Sequence, residues 1–314
     1  MHAIRKIFNS SKNLKFILFN LLTQLFFLVG LIFAGAIIFL LFSASDSLLP
    51  FLLERFPEME FTLRAALYSL SGFIGFLVLL VFASFVLGSN LTAANDLFLE
   101  ARFSVPEALV NGANKTMRIT YFFLIILFVF LVAPGIVSIL LNALFFLFAL
   151  NSDPLFAYFS FILTGLVFLS AGYFFLLFLP GMMIVLPIIV IEESDLKESV
   201  KHAKELGLRH FYETIGLVLS SWLVKKFILI LWRLVFLIVF FGSFLLTQTS
   251  ILAFFENIAL MNFDFNTYLA QFILLALFAL VELIVLLGWN SGVNSLIPVS
   301  TYYHALVLEK EAEQ

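Results

Sequence analysis

Runs of twenty or more apolar residues recur along this chain, and they restrict the fold more than any other feature. Phe16 to Phe42, Ala65 to Gly88, Ile119 to Leu150, Leu155 to Leu179, Phe227 to Leu246 and Tyr268 to Leu287 are such runs. A hydrocarbon core about 30 Å thick needs about 20 apolar residues of helix to cross it. Backbone groups in lipid must be satisfied within the segment, which leaves helices for runs of this kind. A large soluble protein can bury one such helix. Here the chain is 63% hydrophobic and 12% charged, so too little polar sequence remains to cover six. The expected fold is all-α: a polytopic transmembrane helical bundle of about six spans, with short cytoplasmic-side helices and an internal repeat.

Charge orients the bundle. Of 17 Lys and Arg, twelve fall in the N-terminal segment, the loops 89–118 and 180–209, and the tail after Ser291. Only Arg55 and Arg64 fall on the other side, with seven acids. Short loops rich in Lys and Arg stay in the cytoplasm. The expected location is therefore the cell membrane, an inner membrane where there are two, crossed several times with both termini cytoplasmic. The basic flank and long first run argue against a cleaved leader, since Phe16 to Phe42 exceeds an h-region.

The chain reads as one membrane domain, 1–314, with an internal pattern. A shift of 91 residues carries Ser104 onto Asp195, Glu107 onto Glu198, Arg118 onto Arg209 and Tyr121 onto Tyr212. A shift of 200 carries Gly88-Ser89-Asn90 onto Gly288-Trp289-Asn290. The repeat units are 64–150, 155–246 and a truncated 268–314. Each holds a span, a break and a short helix. The predicted breaks lie at Asn90, at Pro180-Gly181 and at Asn290, and backbone freed there would be a candidate binding region. Ser104 with Glu107, and Asp195 with Glu198, have the spacing of a helix cap and its N3 acid.

The segment ending in Leu179-Pro180-Gly181, then Leu186 to Glu193, then the charged helix with Glu198-Ser199, resembles a broad family of multi-spanning membrane proteins. That family is similar to the membrane domain attached to some glycerophosphodiester phosphodiesterases. The resemblance covers Asn90 to Leu246. It implies a helical membrane module without settled activity. The resemblance does not extend to the catalytic domain of the fusions, so none of that domain's residues is expected at any position here.

Chemistry is sparse. There is no cysteine, no His-x-x-x-His spacing, no phosphate loop and no nucleophile beside a base, so no cofactor, metal site or catalytic residue is expected and the chain reads as a non-enzyme. Glu192-Glu193, Glu100 and Asp96 read as a solvated rim, and His202 as a surface histidine. Mixed charge on the short helices excludes a nucleic-acid surface. Two charges fall inside spans at matching depth, Arg233 and Glu282, and form a candidate intramembrane ion pair. Expected partners are membrane lipids and a protein, either a second copy or a different chain. The functional expectation is a membrane scaffold, assembly factor or regulator; the alternative is a permease for a lipid or small solute.

Overall fold

The computed structural model describes residues 2–55, 60–100, 102–148, 154–192, 195–247, 249–259 and 267–312. Among them all regular structure is helical: α1 (His2–Ser10), α2 (Leu14–Arg55), α3 (Glu60–Glu100), α4 (Val105–Leu127), α5 (Ala133–Phe148), α6 (Pro154–Ile191), α7 (Leu196–Arg209), α8 (Phe211–Thr247), α9 (Ile251–Ala259), α10 (Leu269–Leu283) and α11 (Asn290–Ala312). A π-helical turn, Phe128–Val132, joins α4 to α5, and another, Ile284–Trp289, joins α10 to α11. Each pair is thus one rod. Five helical stretches are long and apolar enough to cross a membrane: Leu14–Glu54, Leu63–Glu100, Val105–Ala143, Phe211–Thr247 and Leu269–Glu311. A sixth rod is α6, 38 residues long, with apolar described stretches Phe159–Phe175 and Gly181–Ile191. The chain is a polytopic membrane helical bundle.

The rods are much longer than a bilayer requires. At 1.5 Å per residue the 41 residues of α3 reach about 60 Å. This overturns the predicted breaks. Helix α3 runs through Asn90, α6 through Pro180 and Gly181, and Asn290 opens α11 directly after a π turn. The apolar segments that follow the predicted breaks, expected as separate short helices, are the ends of α3, Leu91 to Glu100, and of α6, Met182 to Ile191. The charged, proline-containing stretch Ser43 to Arg64, whose composition predicts a linker, is helix up to Arg55, through Pro50. The run Phe227 to Leu246 belongs to a longer helix from Phe211, so the piece before it, which could lie at the interface or extend the same helix, extends it through Lys225-Lys226. Asn151-Ser152-Asp153-Pro154 has the composition of a tight turn; its first three residues lie outside the described ones, and Pro154 opens α6.

Glycine at these places serves packing. A Cβ on Gly88 would lie 3.2 Å from Gly112 O, one on Gly181 3.3 Å from Ala203 O, and one on Gly288 2.8 Å from Ile17 O. Each glycine lets a neighbouring backbone, α4, α7 or α2, come close, which is how membrane helices gain contact when lipid offers no hydrophobic drive.

Three hairpins result. Helix α2 packs along α3, α5 along α6, and α8 along α10. They converge at one end, the junction, where the last turns of α3 and α6 meet α11. Leu91, Ala94, Leu97, Ile184, Ile188, Val293 and Leu296 form its buried core, closed by Phe16 of α2, Ala108 and Ile119 of α4, and Ala203 and Leu206 of α7. Helix α1 lies against α11, so both described ends of the chain sit at the junction.

Away from the junction the hairpins part. Other than its own rod, α5 packs substantially only on α6, and α10 only on α8, among the described residues. Their flanks carry exposed Ile32, Phe39, Ile139, Phe161, Leu169 and Ile238. In water this surface would drive collapse; in a bilayer it is the lipid contact. A small aromatic cluster, Phe240, Phe244, Phe254 and Tyr268, seals the far end of the third hairpin.

Candidate functional site

Polar side chains gather where the three hairpins begin to part. Asn20, Thr23 and Asn90 are all almost fully buried. The Thr23 hydroxyl donates to Asn90 Oδ1 at 2.9 Å. Asn20 Nδ2 donates to Phe16 O at 2.9 Å, while its buried Oδ1 has no hydrogen-bond partner among the described residues. Gln24 Nε2 donates to Ser291 Oγ at 2.8 Å. Lys225 reaches from α8 to donate to Asn294 Oδ1. These bonds tie α2, α3, α8 and α11 together at the level where a polar group would otherwise face lipid.

A cleft of about 310 Å³ opens beside this seam. Gln24, Asn90, Ser291, Asn294 and Ser295 supply its polar wall, and Phe27, Val86 and Phe123 its apolar one. Of the predicted binding region Asn90 reaches it. Asn290 is absent from the lining, and its neighbour Ser291 takes that place. Backbone freed by helix breaks plays no part, because the breaks do not exist. Gln24, Ser291, Asn294 and Lys225 went unrecognised because long-range packing alone brings four helices together there.

Gly181 lines a second space, about 250 Å³ and almost wholly apolar, between α4, α6 and α7. Phe122, Ile126, Val129, Phe130, Met182 and Val185 form its walls, with Val200 and Lys204 at the α7 side.

The charged pair is present. Glu282 Oε1 accepts from Arg233 Nη2 at 2.6 Å and Nε at 3.0 Å, and Oε2 from Trp232 Nε1 at 3.0 Å. The Arg233 side chain is half exposed and that of Glu282 mostly covered. An antiparallel α8–α10 pair puts the two charges level, and both amino acids point to the same seam.

The caps are correct in position only. Ser104 and Asp195 occupy the N-cap sites of α4 and α7 with extended backbone, yet neither side chain caps. Pro106 at N2 of α4 has no N–H to give Ser104. Asp195 is exposed, and water can meet the free N–H groups. Glu107 and Glu198 fall in the first turns, where an acid complements the helix dipole.

The acids of the rim separate. Glu192 accepts from the Tyr302 hydroxyl and lies 3.2 Å from His202 Nδ1. Asp96 lies with Asn95, which accepts from Tyr303 at 2.8 Å. Asp96 and Glu100 line a different hollow with Lys15 and Arg102. Glu193 lies outside the described residues. His202 is thus held by a carboxylate rather than simply solvated. No group of three or more His, Asp or Glu suited to a metal ion exists among the described residues.

The chain matches no protein-family model, no curated protein and no solved structure.

Proposed function

We propose that the chain is a non-enzymatic membrane scaffold whose hairpins hold lipid and the spans of a partner between them. One observation carries this reading: among the described residues the three hairpins join only at the junction and part away from it, with large apolar side chains exposed on their flanks. Such gaps suit a neighbour embedded in the same membrane. Within this reading the junction and both termini face the cytoplasm of a cell-membrane protein, as the twelve basic residues on that side favour. The internal repeat belongs to it too. Under the shift of 91, buried Ala93, Ala94, Leu97 and Phe98 of α3 fall on buried Ile184, Val185, Ile188 and Ile189 of α6.

The chain has no cysteine, so single labels are easily placed. Photo-crosslinkers at Ile32, Phe161 and Ile238 in native membranes should each give a protein adduct. Two differently tagged copies then tell a second copy from a different partner. Lipid adducts alone at all three positions would sink the scaffold reading.

A permease is the second reading, favoured by the cleft at Asn90, Gln24 and Asn294 with Lys225 beside it. Spin labels at Phe39 and Ile139 would then show two distance populations in lipid. The scaffold requires one.

A further inference from the structure

The apolar space at Gly181 does not end there. A further groove of about 420 Å³ shares Val129 and Phe130 with it and continues between α5 and α6 past Ala133, Val137, Val167 and Ala171. The eleven-residue step from Ile126 to Val137 adds about 16 Å along the rod, the reach of an acyl chain. The π turn Phe128–Val132 lies in the middle of this path. A π turn inserts an extra residue in the helix and commonly marks a functional position.

One end of the path is basic. Gly181 allows α7 to approach so closely that a Cβ there would lie 3.8 Å from Lys204 Cα. Lys204 therefore stands over the mouth, with Val200 beside it. Lys197, Lys201 and Lys204 follow the i, i+4, i+7 rule, so they form one exposed stripe on α7. The acids of α7, Glu198 and Glu205, are also exposed but do not line the groove. His202 is engaged with Glu192.

We infer that this groove holds one phospholipid with an anionic headgroup, its phosphate on Lys204 and one acyl chain along the seam of α4 and α5 with α6. The inference needs only the membrane fold, so it stands or falls apart from the scaffold reading. Charge selects the occupant: an apolar groove alone takes any lipid, while Lys204 at the mouth favours phosphatidylglycerol-like headgroups over zwitterionic ones.

The test uses the full chain in phosphatidylcholine nanodiscs. Trace phosphatidylglycerol or phosphatidylcholine is added, each with the same diazirine in its tail. Labelled peptides are mapped after irradiation. Label should concentrate at Val129, Val137 and Val167 above the lipid-facing controls Ile32 and Ile238. It should also be about fivefold greater for phosphatidylglycerol, the effect of one lysine at a membrane surface. Lys204→Glu, at an exposed position, should erase that preference while the chain stays monodisperse. Ala171→Phe should remove groove labelling and leave the controls unchanged. Groove labelling no greater than at Ile32 and Ile238 would overturn the inference. So would groove labelling equal for the two headgroups, or a preference that survives Lys204→Glu.

Discussion

Arg233 and Glu282 meet across the α8–α10 seam, with two Arg233 nitrogens within 3.0 Å of one carboxylate oxygen. Trp232, stacked on Phe278 at 6.2 Å, donates to the other oxygen. A lone charge at mid-membrane costs about 2.5–3.5 kcal/mol on insertion scales. Each partner thus lowers the cost of the other, although an apolar pair could be as stable. Glu282→Gln and Arg233→Gln should each lower the folded yield by roughly 2 kcal/mol, below the full insertion cost because Arg233 is half exposed. The double variant should recover part of that loss in a thermal-shift series. Strictly additive losses would refute mutual support.

Glycines separate into two groups, and alanine should reveal them. A Cβ at Gly112 would lie 2.0 Å from Ser89 Oγ and 2.6 Å from Ser89 N, which is backbone and cannot move aside alone. Gly112→Ala should destabilise by about 1–3 kcal/mol through overpacking. Among the described residues nothing lies within 4 Å of such an atom at Gly165. Gly165→Ala should be neutral or gain about 0.5–1 kcal/mol from helix propensity. Detergent-resistance midpoints of the two variants check both; a stable Gly112→Ala protein would show that the α3–α4 contact is looser than drawn.

Asn90→Leu tests the polar seam. It removes the acceptor of Thr23 and leaves a buried hydroxyl with only backbone to bond. The expected loss is about 1–2 kcal/mol. Thr23→Val in the same background should cost less than it does alone. Equal costs in both backgrounds would mean that the two residues do not communicate.

Topology has its own measurement. Reporter fusions at Pro154 and Ser250 should register outside, and those at Lys201 and Glu311 inside. An inside signal at Pro154 would contradict six crossings.

Periodicity and charge were enough to read the helical class, the six apolar rods and the pairing level of Arg233 with Glu282. Each depends on a local quantity: run length, or distance from a span end at fixed rise per residue. Helix continuity was not local. Gly88, Gly181 and Gly288 have the composition of breaks, and only the backbones of α4, α7 and α2 lying against them show that glycine serves close packing there. The cap at Ser104 failed for a similar reason of detail, since Pro106 removed one of its targets. Cleft and groove were decided by tertiary structure alone. Gln24, Asn90 and Ser291 come from three distant helices, and Lys204 reaches the α4–α6 seam only because α7 folds back onto Gly181. Hydrophobic runs specify that a helix enters lipid; which helices then touch depends on small residues and shape, which no period in the sequence encodes.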